Sequence, residues 1–255
     1  MSGHSKWSTI KHQKGAADAK RGAMFTKLSR DITLAVRDGG GGDPDTNFRL
    51  RLTIDKAKSN NMPLDNITRA IKKGTGEGGE GDERLEEVVY EGYGPGGGAI
   101  LLQAVTANRN RTAADVRSTF SRGGGNLGES GCVAWNFETK GVITLEIADE
   151  SRAEELGLTA IDAGAEDVDI EDGMLEIHTA PEVLLDVRTA LEKEGVSPDS
   201  SEITMIPKST ILLDPHEAEQ TLKLLDSLEE LADIQKAYTS ADFPSQVLEQ
   251  YRATT

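Results

Sequence analysis

The stretch from residue 142 to residue 206 reads VITLEIADESRAEELGLTAIDAGAEDVDIEDGMLEIHTAPEVLLDVRTALEKEGVSPDSSEITMI. Its short apolar runs predict four strands, and two longer segments with apolar residues at helical spacing predict two helices. In chain order these are a strand at 142–147, a helix at 151–163, strands at 168–171 and 174–179, a helix at 181–194 and a strand at 202–206. Strand–helix–strand–strand–helix–strand is the order of the ferredoxin-like fold.

The segments on either side of this unit predict a second small α/β domain. Before it, strands are predicted at 87–90 and 99–106 and a helix at 113–122, and VAWNF with GVITLEI predicts a hairpin around Thr139–Lys140. After it come a helix at 215–230 and a short strand at 234–238, which have no sheet of their own. We therefore expect them to return to the layer begun at 87–122. This predicts a discontinuous middle domain, 82–134 plus 207–250, with the ferredoxin-like domain 135–206 inserted in it.

The N-terminal part of the chain predicts a three-helix bundle. A glycine-rich segment, GTGEGGEG at 74–81, is typical of a linker and separates residues 1–73 from the rest. Helices are predicted at 16–37, from Asp43 as N-cap with Pro44 in the first turn, and from Pro63 to Lys73, where Gly74 would end the helix. The second helix carries two apolar faces, which predicts neighbours on both sides. The predicted fold class is therefore α/β (α+β), a three-helix bundle plus two small α/β domains.

The charge is divided unevenly along the chain. The net charge of −16 combines residues 1–73, with 15 Lys and Arg against 7 Asp and Glu, and residues 74–255, with 13 against 37. A basic segment joined to an acidic body is typical of a module that binds a polyanion, because the body would repel the same ligand. The alternative is a solvated helical domain attracted to its own acidic neighbour.

Candidate contact residues lie in the N-terminal tail, on the first helix and at the start of the 113–122 helix. On the first helix the cations share an arc opposite the apolar stripe, although Leu34 falls among them without explanation. Trp7 either stacks on an unpaired base or closes the top of the bundle. The later arginines either meet an anion near a helix N-terminus or pair with acidic neighbours. The predicted nucleic-acid-binding residues are His4, Lys6, Trp7, Lys11, His12, Lys14, Lys20, Arg21, Lys27, Arg30, Arg109 and Arg111, and Arg37 also lies on the arc.

No motif points to catalysis, a metal or a cofactor. Glycines 92, 94 and 97 match G-x-G-x-x-G, but a strand follows them where a dinucleotide site needs a helix, so they predict a hairpin loop. The four histidines lack ligand spacing, and Cys132 has no nearby base. The single cysteine favours a reducing compartment, and no run approaches the 18 apolar residues of a membrane helix. We therefore expect a cytoplasmic protein that is not an enzyme and uses no cofactor.

A set of short motifs, in order along the chain, resembles the YebC/PmpR family, which includes the mitochondrial translational activator of cytochrome c oxidase subunit I. They are GHSKW (3–7), DAKRG (18–22), FTK (25–27), GGGDP (40–44), NFRLR (47–51), SNNMP (59–63), YEGYGPGG (90–97), NRNRT (108–112) and GGNLG (124–128). The resemblance implies a three-domain α/β protein with an N-terminal helical bundle. Near the C-terminus residues 231–240, LADIQKAYTS, depart from the usual L-D-D-V-Q-x-V-Y-x-N.

The resemblance implies two roles, a DNA-binding transcriptional regulator and a ribosome-associated factor that relieves stalled translation. We expect a nucleic-acid-binding regulator of the transcriptional kind. The first alternative is a translation factor that binds ribosomal RNA, and the second is an acidic scaffold that binds a protein. The expected partners are DNA or ribosomal RNA, with the ribosome as a further candidate, and we expect neither a membrane nor a small-molecule substrate.

Overall fold

Three helices form the N-terminal unit of the computed structural model, which describes residues 7, 18–76, 85–171 and 173–254, without the side chains of 18–20 and 254. They are α1 (Asp18–Asp38), α2 (Phe48–Ser59) and α3 (Leu64–Gly74). Their shared core is built from small and medium apolar side chains, among them Leu28, Ile32, Leu50, Ile54, Ile67 and Ala70. The predicted three-helix bundle is confirmed.

The start of α2 differs from the prediction. Asn47 caps the helix, since its side-chain oxygen accepts from the Leu50 N–H, and its amide also donates to the Ala35 carbonyl at 2.7 Å. Asp43 instead accepts from the Asp45 N–H within the preceding turn. The buried Asn47 ties α2 to α1, and this tertiary contact decides where the helix begins.

The end of α3 also differs by a residue or two. Gly74 lies inside the last turn rather than after it, and Thr75 is the C-cap. A Cβ at Gly74 would lie 2.7 Å from the Thr33 carbonyl oxygen and 2.6 Å from the Val36 Cβ. The glycine therefore serves the close approach of α3 to α1.

The middle unit is a four-stranded antiparallel sheet with helices against it. The sheet order is β3–β1–β2–β9, from β1 (Glu86–Tyr93), β2 (Ala99–Thr106), β3 (Asn126–Leu127) and β9 (Ile234–Thr239). Helices α4 (Arg109–Arg122) and α7 (Pro215–Glu229) share its main core with α8 (Ser245–Thr254), a helix that the sequence analysis missed. The strand predicted to return after the insertion thus pairs with β2, and the glycine motif lies in the predicted β1–β2 hairpin.

The third unit has the ferredoxin-like topology. Its elements are β4 (Phe137–Glu146), α5 (Glu150–Asp162), β5 (Asp167–Glu171), β6 (Met174–Thr179), α6 (Leu184–Lys193) and β7 (Ser200–Pro207), with the antiparallel order β5–β6–β4–β7. A two-stranded parallel pair, β8 (Ile211–Leu212) with β10 (Ala241–Asp242), follows. The predicted α/β (α+β) class, a helical bundle plus two small α/β units of which one is ferredoxin-like, is confirmed.

The hairpin predicted around Thr139–Lys140 is wrong. Both residues lie in the middle of β4, which pairs with β7 from Phe137 to Thr144. The preceding residues Ala134–Asn136 form a single 3-10 turn. The Asn136 side chain bonds to Ser209, and this contact holds the turn against the start of the segment that follows β7.

Candidate nucleic-acid interface

The predicted basic arc of α1 faces the middle unit. Lys27 donates through Nζ to the Glu229 carbonyl, and Arg37 donates through Nη1 to the Leu85 carbonyl at 2.6 Å. Arg30 donates to the Ala232 carbonyl at 2.6 Å and to Asp233. Lys27, Arg30 and Arg37 therefore dock α1 onto the middle unit, and a contact of Lys27 and Arg30 with nucleic acid stays a prediction.

Leu34, which the helical pattern left unexplained, belongs to this docking face. It is fully buried in a small apolar cluster with Leu85 and Val105. An apolar side chain among cations therefore marks a face that packs against protein, while the cations around it reach backbone carbonyls.

Asp233 is the centre of the junction between the helical and middle units. Its two carboxylate oxygens accept from Arg30 at 3.1 Å, Arg111 at 2.9 Å, Thr112 at 2.7 Å and Thr106 at 3.3 Å. Burial acts to raise the pKa of Asp233, but the hydrogen bonds from Thr112 and Arg111 and the charge of Arg30 together hold it below its ordinary value. Asp233 is therefore a buried anion that two arginines from different units share.

The two arginines of α4 have acidic partners. Arg111 bonds to Asp233, while Arg109 lies 3.9 Å from the Glu86 carboxylate. The helix start is capped by Asn108, whose side-chain oxygen accepts from the Arg111 N–H. The sequence left two interpretations of this region, and the structure shows the pairing with acidic neighbours. The Arg111 side chain is still 58% exposed.

Trp7 lies in the core of the middle unit. Its side chain is 1% exposed and belongs to the cluster that includes Val247 and Leu248 of α8. The prediction of an exposed stacking residue is wrong, and the alternative that it closes the bundle is wrong as well. Its neighbours stand about 240 positions later in the chain, so no local pattern could place it there.

The other predicted residues fall into two groups. His4, Lys6, Lys11, His12 and Lys14, together with the Lys20 side chain, lie outside the described residues. Arg21 lies on the first turns of α1 and is exposed. Their role as contacts stays a prediction.

A groove runs between α1 and α3 on the surface of the helical unit. It encloses about 230 Å³ and is lined by hydroxyl, amide, cationic and apolar side chains: Thr26, Ser29, Arg30, Thr33, Asn66, Arg69, Ala70, Lys73 and Leu85. On α3, Arg69, Lys72 and Lys73 are exposed. Their spacing places them on one arc opposite the buried Ile67 and Ala70, a signal present in the sequence but not used.

A second groove of about 270 Å³ adjoins the first at Arg30, which lines both. Its other lining residues include Arg111, Thr112 and Asp115. Cations with hydroxyl and amide donors along a concave path suit phosphate oxygens, which accept hydrogen bonds and carry charge. Asp233 and Asp115 make the second groove less favourable to an anion than the first.

The helical unit also contacts the ferredoxin-like unit through α2. Leu52 packs against the core of that unit, Lys56 lies 3.4 Å from Glu202, and Arg188 lies 3.7 Å from Asp55. The predicted second apolar face of α2 is thus covered by a neighbour. Part of the positive charge of the helical unit is therefore neutralised by acidic side chains elsewhere in the chain.

Two negative findings apply to the described residues. Among them no group of three or more His, Cys, Asp or Glu side chains is arranged to hold a metal ion. None of the helices in these ranges combines the length and the apolar composition that a membrane span requires.

Known families and structures match the chain along most of its length. A family model described as the TACO1/YebC protein N-terminal domain matches residues 5–77, and one described as the TACO1/YebC second and third domain matches residues 85–241. The chain belongs to the TACO1/YebC family. This confirms the resemblance that the motifs from GHSKW to GGNLG indicated.

Among the relatives, a protein of Dehalococcoides mccartyi is 57% identical over 253 residues, 99% of either chain. One of Geobacter sulfurreducens is 54% identical over 249 residues, 98% of this chain and 99% of the relative. Both are named probable transcriptional regulatory protein. The crystal structure of a conserved hypothetical protein from Aquifex aeolicus, 49% identical, superposes with a TM-score of 0.81 over 92% of this chain and 96% of that one.

Proposed function

We propose that this member of the TACO1/YebC family is a cytoplasmic, non-enzymatic regulator that binds the phosphate backbone of nucleic acid through α3 and the groove beside it. The observation that carries the proposal is the exposed arc of Arg69, Lys72 and Lys73, of which Arg69 and Lys73 line the groove between α1 and α3. The relatives named transcriptional regulators favour duplex DNA as the polyanion.

Phosphate neutralisation by lysine and arginine releases counterions and supplies most of the affinity of such contacts. Hydroxyl and amide donors in the groove, such as Ser29 and Asn66, would fix the position of the backbone on the protein. The acidic remainder, with 37 acidic residues beyond residue 73, repels the phosphates of the same ligand, so we expect most phosphate contacts on the helical unit.

The test is a titration of full-length protein against a fluorescein-labelled duplex, read by anisotropy at fixed salt. Arg69→Ala/Lys72→Ala should weaken binding without a change in thermal stability, since both side chains are exposed. The matched control removes two exposed cations elsewhere, Lys193→Ala/Lys223→Ala. Equal affinities of the two double variants would contradict the proposal.

A second candidate, a translational regulator that binds RNA, is favoured by one observation. Trp135 is 67% exposed, whereas smooth duplex DNA offers no unpaired base to an indole. The same titration with RNA in single-stranded and duplex form separates the candidates.

A further inference from the structure

Two aromatic side chains of the middle unit are exposed. The chain has eleven aromatic residues, all within the part that the structure describes, and among these only Trp135, at 67%, and Tyr93, at 39%, are exposed. Large rings left in water are unfavourable unless a ligand covers them, because each carries a large apolar area. In a protein with so few aromatic residues, the placement of both on one surface needs an explanation.

The two rings are fixed to the same atom. The Tyr93 hydroxyl donates to the Cys132 carbonyl oxygen at 3.0 Å, and the Trp135 Nε1–H donates to the same oxygen at 2.9 Å. The polar edges of both rings are thereby satisfied within the protein and lie within two hydrogen-bond lengths of each other. What they leave exposed is mainly apolar ring surface.

The loop that carries the Cys132 carbonyl is fixed by a buried carboxylate. The buried Glu91 accepts backbone N–H bonds from Gly131 at 2.6 Å, Val133 at 2.8 Å and Ala134 at 2.7 Å. Burial acts to raise the pKa of Glu91, but these three hydrogen bonds hold it below its ordinary value, so the carboxylate stays charged. Asn136 ties the other end of the turn to Ser209. The rings therefore stand on a preorganised support.

We propose that Tyr93 and Trp135 form a stacking platform for unpaired bases of single-stranded nucleic acid. The proposal rests on the proposed function for the class of ligand and adds a second contact, in the middle unit, for unpaired stretches of that ligand. Flat rings with fixed edges lose little conformational entropy on stacking, and base–aromatic stacking tolerates any base sequence.

The surroundings of the pair favour a base over a protein partner. A stable protein interface buries about 800 Å² on each side around an apolar centre. Next to the rings the chain is polar: Ser130 and Gly131 precede the shared carbonyl, and Lys208 and Ser209 are bonded to Asn136. Lys208 is exposed and could meet a phosphate, while the exposed Glu129 would oppose it.

The experiment measures binding of full-length protein to a labelled oligouridylate of about 12 nucleotides, a length within the range of single-strand sites. The oligodeoxythymidylate of equal length and a duplex serve as further probes. We expect Trp135→Ala to bind the single strands about 5- to 150-fold more weakly, the range that a stacked base supplies. Its affinity for the duplex should be unchanged. Trp135→Phe, which keeps a ring, should retain part of the single-strand affinity.

Leu158→Ala is the matched control, since Leu158 is 68% exposed on α5 of the ferredoxin-like unit. It should change none of the affinities. If Trp135→Ala binds single strands as tightly as the wild type, or loses duplex and single-strand affinity equally, the stacking proposal is overturned while the proposed function stands. If the wild type binds duplex alone, stacking is likewise overturned. If the wild type binds none of the probes, both proposals fail.

Discussion

The helical unit carries two arcs of cations with opposite environments. On α1, Lys27, Arg30 and Arg37 donate to backbone carbonyls and to Asp233 of the middle unit. On α3, Arg69 and Lys72 are exposed, and Arg69 lines the groove between α1 and α3. The cations of both arcs count equally in the net charge of the unit, so net charge does not distinguish the arcs. The difference is the apolar Leu34 among the cations of α1, which teaches that a basic arc should be searched for an apolar residue before it is interpreted as a ligand surface.

The largest expected effect is on stability and concerns Asp233, which binds Arg30 of the docked arc, the α1 cations Lys27, Arg30 and Arg37. Asp233→Ala leaves Arg30, Arg111 and Thr112 without their shared acceptor, and loss of one partner from a buried ion pair costs about 4 kcal/mol of unfolding free energy. Urea denaturation at neutral pH measures it. Asp115→Ala, an exposed carboxylate that lines the same groove, is the control and should be nearly neutral. Equal stability of both variants would mean that Asp233 does not hold the units together.

The apolar part of the docked arc should contribute almost as much. Leu34→Ala opens a cavity against Leu85 and Val105 and should lower the free energy of unfolding by about 3 kcal/mol. Leu64→Ala makes the same change on α3, where the side chain is 69% exposed, and should stay within about 0.5 kcal/mol of wild type. If the two substitutions cost the same, Leu34 is not part of an interface.

Acid should weaken the stabilising contacts of the docked arc, because it protonates Asp233. Because the folded-state pKa of Asp233 is lowered, its stabilising contribution is complete above the ordinary Asp pKa of about 3.9 and is lost as the pH falls through the lower folded value. The difference in stability between wild type and Asp233→Asn should therefore be constant above about pH 4 and shrink below it. Denaturation of both proteins from neutral to acid pH measures this difference. A difference that grows on acidification would have the wrong sign.

The ferredoxin-like unit was the most predictable part of the fold. From Val142 to Ile206, short apolar runs typical of strands alternate clearly with segments whose apolar residues have helical spacing. Errors arose where tertiary contacts override local pattern. Asn47, through its bonds to α1, displaced Asp43 as the cap of α2, and the segment VAWNF forms a turn because Asn136 is tied to Ser209.

The candidate site was harder to predict than the fold. Trp7, the tryptophan in a basic tail, is buried, whereas Trp135, in a segment interpreted as a strand, is exposed. Burial of Trp7 depends on α8, at the other end of the chain. Which of two indoles, or which of two basic arcs, faces solvent is decided by how the units pack, and no local spacing contains that information.

The most direct test of this account compares the salt dependence of duplex binding by Lys27→Ala and Arg69→Ala. Each removes one cation from the same unit, so a model based on net charge predicts equal effects. We expect the slope of log affinity against log salt to shrink by about 0.9 for Arg69→Ala, as for one lost phosphate contact, and to stay at the wild-type value for Lys27→Ala. Lys27→Ala should instead cost about 1 kcal/mol of stability through its lost hydrogen bond to Glu229. A reduced slope for Lys27→Ala, with Arg69→Ala unchanged, would contradict the division between a docked and an exposed arc.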